Sequence, residues 1–497
     1  MQKRSSLFTQ SAIGVFWLSG SQVISQLLHM TIRLMLASLL APADFGLMAM
    51  AMLLINFTNW FIDMGLGAAL VQRKEITEAH KSTAFWANLL MGLAVFACLL
   101  LTAPVVARFF QTDTLLPIII CLSFGILCIA PRSTLENLLM REGKFQTIAS
   151  REIWSIVCGG ATGLTLAWFG YGIWALVAQS LIDNFADTAF LFWRSTWRPK
   201  WVFERNAFLD LWQFSKPLIG ARLFTYFNRN VDTILIGRFL GAAPLGFYNL
   251  GYQFVLLPLT YVTRPFSKVL FTTLSRVQHD EIRLRNGYLQ SIQLLSFVIF
   301  PLMTLIALEV PDLIGLLLGE KWQPASALIP YFCFVGLIQS VLNVMPAVFQ
   351  ATGHTNLILR WNFTTVMVNI LAFSIGLAWG IQGVAIAYTL GTLVLAPFLQ
   401  NALLRALHLP WALFGHALLK PILISLMMVG VWAMSGWGMA AIDLNASPFV
   451  GDILQSSVAI AAYLAISWYW NQTFKNTLGR LRIGHRIKCY QQKLSIS

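Results

Sequence analysis

The sequence predicts an all-α polytopic membrane protein, and three observations support this fold class. Of its 497 residues, 57% are hydrophobic and 11% are charged, a balance that few soluble proteins have. Apolar runs recur along the whole length, each about the 20 residues that a helix needs to cross a bilayer. The net charge is +14, but the basic residues lie in short segments between the apolar runs. This distribution is typical of cytoplasmic loops and argues against nucleic-acid binding.

The apolar runs predict fourteen transmembrane helices. Their approximate ranges are 11–38, 45–70, 82–107, 114–138, 152–170, 173–193, 213–239, 246–272, 288–318, 325–350, 357–379, 382–404, 413–437 and 449–471. Several prolines should mark their boundaries, because proline breaks helices. These are Pro42, Pro104, Pro199, Pro244, Pro324 and Pro410.

Along the chain, loops rich in basic residues alternate with loops that contain few of them. One side carries most of them, including the loop residues Arg141, Lys144 and Arg151, whereas the opposite loops hold only Arg108, Arg238 and Lys321. The positive-inside rule therefore places both termini in the cytoplasm, which an even number of spans permits.

The chain also repeats itself. Leu40 and Gly46 match Leu240 and Gly246 at an offset of 200 residues, Gly143 matches Gly353 at 210, and Gly172 matches Gly383 at 211. Spans 1–6 and 7–12 therefore form a parallel repeat about an axis along the membrane normal, with two extra C-terminal helices. We expect an N-lobe (1–193), a cytoplasmic linker (194–212), a C-lobe (213–405), helices 13 and 14 (406–474) and a basic cytoplasmic tail (475–497). The linker is either an amphipathic stretch along the membrane surface or a plain solvated connection.

Polar residues form a stripe on equivalent helices of the two halves. In the second half, Arg222, Tyr226, Arg229 and Thr233 share one helical face. In the first half, the equivalent face carries Gln22, Gln26, His29 and Arg33. An arginine at the centre of a spanning helix costs roughly 2.5–3.5 kcal/mol on insertion scales, so it persists where it faces protein or a wet cavity. The two stripes predict a cavity shared by the halves.

The predicted intramembrane charges comprise four arginines and two aspartates: Arg33, Arg222, Arg229, Arg264, Asp63 and Asp232. This excess of cations favours an anionic substrate, since arginine binds phosphate oxygens in a bidentate fork. Alternatives remain for each residue. Arg33 and Arg222 could snorkel to an interface, Arg229 could simply neutralise Asp232, and Asp63 could pair with Arg33. Asp63 or Asp232 could instead carry a coupling proton. Arg264 precedes Pro265, where the backbone could be interrupted.

Neutral polar residues near the stripes would suit sugar hydroxyls or could join helices by hydrogen bonds. They are Gln22, Gln26, Tyr226, Asn228, Tyr248 and Asn249. The small residues Gly159 and Gly163 predict a close helix–helix contact. The sequence contains no nucleotide-binding loop, no H-E-x-x-H motif and no histidines at metal-ligand spacing. We therefore expect no catalytic residue, no metal and no cofactor.

Several motifs resemble a known family. They are FGLMAM, MGLGAALVQRKEIT and STAFWANL in the first half, and RFLGAAPLGFYNLGYQF, RPFSKVLFTTLSRVQ and LLLGEKWQPA in the second. As a set they are similar to the polysaccharide-transport branch (Wzx-type flippases) of the multidrug/oligosaccharidyl-lipid/polysaccharide exporter superfamily. The resemblance implies two six-helix lobes around a cavity lined by helices 1, 2, 7 and 8. It also implies a substrate of sugar units on undecaprenyl pyrophosphate, held by arginine and turned from the cytoplasmic to the periplasmic leaflet of the bacterial inner membrane.

By helix position, this resemblance makes Arg33, Arg222, Arg229 and Arg264 candidates for contacting the pyrophosphate. Its implied partners are the lipid-linked anionic oligosaccharide, membrane lipids, and a polysaccharide polymerase with its chain-length machinery. Two rival functions remain open. A cation-coupled multidrug exporter prefers cationic substrates, which an arginine-rich cavity would repel. A polytopic glycosyltransferase or polymerase typically needs a large external loop, and the external loops here are short.

Overall fold

The computed structural model describes residues 2–62, 66–73, 75–206, 208–209, 230–441 and 448–470, and within these ranges the chain is helical without a strand. The first helices are α1 (Gln2–Leu39), α2 (Pro42–Ile62), α3 (Leu66–Gln72), α4 (Glu78–Phe110), α5 (Leu115–Arg141), α6 (Phe145–Trp168) and α7 (Ile173–Arg194). A helical stretch at 230–239 leads to α8 (Ala242–Pro258), a π-helical turn (Leu259–Thr263), α9 (Arg264–Ser275) and α10 (Glu281–Leu318). The remaining helices are α11 (Gln323–Ser326), α12 (Ile329–Leu342), α13 (Met345–Ala351), α14 (Thr355–Gly376), α15 (Gly380–Ala406), α16 (Trp411–Ala441) and α17 (Pro448–Trp470).

The helices lie where the apolar runs predicted spans. Among the described residues, six stretches are long and apolar enough to cross a membrane: Glu78–Phe110, Leu115–Arg141, Glu281–Leu318, Glu320–Ala351, Asn356–Ala406 and Trp411–Trp437. The total of fourteen spans stays a prediction. Pro104 lies inside α4 near its end, and the helix continues to Phe110. In a membrane helix a proline removes one backbone hydrogen bond, and neighbouring groups can satisfy the freed carbonyl so that the helix does not end there.

The chain folds into two compact units. The first contains the residues up to Asn249 together with Leu317–Lys321, and the second contains Leu250–Leu316 and the residues from Trp322 onward. In the first unit, α6 packs on α7 and α1, while α5 packs on α4 and α7. In the second, α15 packs on α14 and α12, and α16 packs on α17. The lobe boundaries expected from the repeat stay predictions.

Local backbone features recur at the predicted offsets. Gly143 and Gly353 both have positive φ, 70° and 78°, immediately before a helix, as an offset of 210 residues predicts. Gly170 (φ 79°), just before α7, and Gly380 (φ 69°), at the start of α15, are related by the same offset of 210 residues. The pairing of Gly172 (φ 55°) with Gly383 stays a prediction. Gly383 lies inside α15, where a methyl group would meet the carbonyl oxygen of Gly376 at 2.4 Å. Its role is close helix packing.

The starts of α2 and α8 cross at two glycines related by the repeat. A methyl group on Gly46 would lie 1.7 Å from the carbonyl oxygen of Ala242, and one on Gly246 would lie 2.0 Å from the carbonyl oxygen of Pro42. The contact is therefore reciprocal, with each glycine meeting the residue four positions before its counterpart. Such mutual exchange places the crossing on the local two-fold axis that relates these two helix starts, and no side chain larger than hydrogen fits there.

A lysine caps the neighbouring end of α1. The ammonium group of Lys321 donates to the carbonyl oxygens of Ser38 at 2.6 Å and Leu40 at 2.9 Å. These carbonyls belong to the last turn of α1, where the helix leaves its acceptors unpaired and carries partial negative charge. Lys321 thereby fixes the end of α1 just before the α2–α8 crossing.

Candidate functional site

The polar stripe predicted on α1 lies beside the face that packs on α6. The buried face carries Ser21, Ser25, Ile32 and Leu36, and Gly160 of α6 faces the Ile32 side chain, because a methyl group on Gly160 would come within 2.3 Å of it. The stripe borders this face. Gln22 and His29 are exposed, and Gln26 and Arg33 are half-buried. The four residues thus lie outside the face that packs on α6, and their role in a cavity stays a prediction.

His29 lies within electrostatic range of a carboxylate that was not predicted from the sequence. This carboxylate is Asp183 of α7, and Arg33 lies within the same range of His29. Asp183 packs against Gly159, where a methyl group would lie 3.0 Å from the Asp183 Cβ and 2.8 Å from the carbonyl oxygen of Gln179. The predicted close contact of Gly159 and Gly163 is thus confirmed as packing of α6 on α7. One oxygen of Asp183, Oδ1, is buried without a hydrogen-bond partner in the described part of the chain.

The guanidinium of Arg33 forms no ion pair with a carboxylate of the described residues. Its predicted alternative partner, Asp63, lies outside the described residues. A half-buried guanidinium in a membrane helix retains five donors, which suit a bidentate anion.

Four charged residues of α5, α6 and α7 form ion pairs with one another. Arg151 binds Glu136 (Nη1–Oε2, 2.7 Å) and Asp187 (Nε–Oδ1, 2.8 Å), and Arg132 binds the other oxygen of Asp187. Arg151 and Asp187 are only 9% and 7% exposed. The assignment of Arg151 to a loop is therefore wrong, since it is a buried residue of α6. The predicted list of intramembrane charges was also incomplete, because Arg132, Glu136, Asp183 and Asp187 lie within predicted spans.

In the second half of the repeat, Asp232 is held by neutral donors. The Tyr248 hydroxyl donates to Asp232 Oδ2 at 2.9 Å, and the Thr233 backbone N–H donates to Oδ1 at 2.7 Å. Tyr248 is 1% exposed, so the expectation that its hydroxyl serves a sugar is wrong. It serves the carboxylate instead. The proposed neutralising partner, Arg229, lies outside the described residues, as do Arg222 and Tyr226.

Arg264 begins α9 directly after the π-helical turn at Leu259–Thr263. The interruption predicted at this point is confirmed, and Pro265 occupies the first turn of the restarted helix. Such single-turn π segments occur frequently at functional sites. Arg264 is exposed and belongs to the second unit.

Known proteins match this chain in sequence and fold. The family described as "Polysaccharide biosynthesis protein" matches residues 35–327. Teichuronic acid biosynthesis protein TuaB of Bacillus subtilis (strain 168) is 28% identical over 378 residues, covering 75% of this chain and 78% of TuaB. Lipopolysaccharide biosynthesis protein WzxC of Escherichia coli (strain K12) is 25% identical over 395 residues, covering 78% of this chain and 79% of WzxC. The solved structure of lipid II flippase MurJ in an inward closed conformation shares the fold, with a TM-score of 0.73 at 16% identity over 93% of this chain and 99% of MurJ. The chain therefore belongs to the polysaccharide biosynthesis protein family, as its motifs indicated.

Proposed function

We propose that this membrane protein is a flippase for a lipid-linked anionic oligosaccharide. It moves undecaprenyl-pyrophosphate-linked sugars from the cytoplasmic to the periplasmic leaflet of the inner membrane, for exopolysaccharide, capsule or O-antigen synthesis. Family membership supports transport rather than catalysis, and the names of TuaB and WzxC place both in surface-polysaccharide synthesis. Its partners in this role are the glycolipid, the surrounding lipids, and a polymerase with chain-length proteins acting on the delivered product.

The accessible polar face with Arg33 is the observation that carries this proposal. Arg33 has no acidic partner among the described residues, and Gln26 and His29 lie along the same stripe. Arginine binds phosphate oxygens through two parallel hydrogen bonds, and amides supply neutral bonds for sugar hydroxyls. The face therefore offers one strong anion site beside several weak polar ones, which is the pattern that a pyrophosphate-linked sugar requires.

Alternating access explains how such a face would work. Pyrophosphate and sugars do not cross hydrocarbon unaided, because each buried polar group without a partner costs several kcal/mol. In this proposal, a cavity between the two repeats opens to one side of the membrane at a time.

Replacing Arg33 with glutamine should lower delivery of surface polysaccharide by roughly tenfold or more, as expected when a charge-assisted hydrogen bond is lost. Arg33→Lys should recover part of the activity, because an ammonium keeps the charge but not the bidentate fork. The matched control is Arg108→Gln, which removes an exposed arginine from the end of α4. The measurement is flipping of a phosphorylated glycolipid in reconstituted vesicles at equal protein level. Wild-type rates for Arg33→Gln would refute the site.

Asp232 is the proposed coupling carboxylate, with Asp63 as the alternative outside the described residues. Outward movement of an anionic glycolipid gains about 2.3 kcal/mol per charge per 100 mV of inside-negative potential. A proton on Asp232 would help to reset the cycle. Asp232→Asn retains an oxygen for the Tyr248 hydroxyl but cannot take up a proton. We expect this variant to flip at a rate independent of an imposed pH difference, whereas the wild type responds. A wild type that is unaffected by both potential and pH difference would refute the coupling.

A further inference from the structure

The segment that follows α7 is a fixed strap. It comprises residues 195–206, which form no helix up to Glu204. The Lys200 N–H donates to the Ser82 hydroxyl at 3.2 Å, and the Glu204 N–H donates to the Thr83 hydroxyl at 3.0 Å. The Trp86 indole donates to the Lys200 carbonyl at 2.7 Å. The linker is therefore not a plain solvated connection, and its placement along the membrane surface stays a prediction.

The inner side of the strap completes the packing of the first unit. Ser82 and Thr83 are fully buried, so their hydroxyls would lack these partners without the strap. Trp197 packs on a cluster that includes Leu135 and Leu191, and its indole donates to Glu78 at 2.9 Å. Buried hydroxyls bonded to a backbone resist its displacement. The strap backbone is therefore held in one position.

The outer side of the strap is aromatic and basic. Trp201 is 88% exposed although it stacks on Trp86 at 4.3 Å, and Trp193 is 74% exposed at the end of α7. The same stretch carries one acidic residue, Glu204, and four exposed basic residues. The basic residues are Arg194, Arg198, Lys200 and Arg205. None of the four is ion-paired with a carboxylate of the described residues.

This surface lies where a spanning helix leaves the bilayer. The strap crosses the first turns of α4, which is among the helices long and apolar enough to span a membrane. Tryptophan prefers the headgroup level of a bilayer, with its ring partly in the acyl region, and basic residues there attract anionic lipid. The side chains project from a backbone that is already ordered, which lowers the entropy cost of binding a headgroup.

We propose that the strap is a binding site for anionic phospholipid headgroups. Lys200 and Arg205 bind the phosphate, and Trp201 packs beside the upper acyl chain. The site goes beyond the flipping of glycolipid and does not depend on it. It fits a phospholipid better than a soluble anion, because the large exposed aromatic surface needs an apolar partner alongside the charge.

The test uses the full chain reconstituted with brominated lipids, which quench nearby tryptophan. The emission of Trp201 is the difference between the wild type and Trp201→Phe, a change that keeps a ring stacked on Trp86. We expect brominated phosphatidylglycerol to quench this emission at a mole fraction at least about fivefold lower than brominated phosphatidylcholine, the preference expected from a single cation near the surface. The triple variant Arg194→Gln, Lys200→Gln, Arg205→Gln should lose the preference.

The matched control removes the same charge from exposed positions of the second unit, as Arg276→Gln, Arg283→Gln, Arg405→Gln. It should keep the wild-type preference. Equal quenching by the two lipids would overturn the proposal, leaving Trp201 as an ordinary interfacial ring. Displacement of phosphatidylglycerol by an equal concentration of inorganic pyrophosphate would also overturn it, assigning the strap to soluble phosphate groups. If the triple variant does not fold, the wild-type protein is measured instead at about 0.5 M salt, which screens exposed charges. A preference for phosphatidylglycerol that persists at this salt concentration refutes the cation site.

Discussion

Gly46→Ala should abolish flipping and destabilise the protein by about 1–3 kcal/mol, the range for overpacking a tight contact. The added methyl group would lie 1.7 Å from the Ala242 carbonyl oxygen, less than half of a normal contact distance, so the helices must separate. Gly246→Ala should have the same effect, because its methyl group would lie 2.0 Å from the Pro42 carbonyl oxygen. The measurements are thermal unfolding in detergent and glycolipid flipping in vesicles.

The double variant distinguishes a shared contact from two separate defects. Once one methyl group has forced the helices apart, the second meets less resistance. The double variant should therefore lose less stability than the sum of the losses in the two single variants. Gly430→Ala in α16 is the matched control, since nothing lies within 4 Å of its added methyl group and alanine favours a helix over glycine by about 1 kcal/mol. Additive losses, or a Gly46→Ala protein with wild-type stability, would contradict the crossing.

The sequence predicted where helices lie but not which ones touch. Hydrophobic run length depends on local composition, so the helices α4, α5 and α7 were predicted within a few residues at both ends and α10 at its C-terminal end. The offset of 200 residues likewise showed that Gly46 and Gly246 are equivalent. Two positions related by a repeat need not touch each other. The reciprocal contact of Gly46 and Gly246 could therefore be found only from the structure. The packing role of Gly383 was likewise invisible, because a glycine in close packing and one with positive φ are the same letter in a sequence.

The site was predictable along a helix but not across helices. The stripe of Gln22, Gln26, His29 and Arg33 follows from the 3.6-residue period alone. Asp183 lies on another helix, and no period connects it to His29. A usable signal was nonetheless present, because a carboxylate inside a predicted span always needs a partner. Asp187 carried the same signal. Applying that rule to every span would have indicated the buried ion pairs, although not their partners.

Removing Arg151 from these ion pairs should destabilise the protein by about 3–5 kcal/mol, the usual cost of leaving a buried charge without its partner. Arg151→Met removes the guanidinium that bridges Glu136 and Asp187, which leaves Asp187 with Arg132 and takes away the ion pair of Glu136. The side chain of methionine fills a similar volume, so the loss reports charge rather than a cavity. Unfolding of the purified protein by denaturant provides the measurement.

The exposed ion pair of Lys144 and Glu142 is the matched control, because both side chains are nearly half exposed and 2.7 Å apart. Lys144→Met should cost about 1 kcal/mol or less, since water solvates the remaining charge. The companion variant Arg151→Met, Glu136→Gln should be more stable than Arg151→Met alone, because it also removes the carboxylate that has lost its arginine, while Asp187 keeps Arg132. If Arg151→Met costs no more than Lys144→Met, water reaches these charges. The three helices would then be held together by their apolar contacts and by the α6–α7 glycine packing, with the ion pairs contributing little.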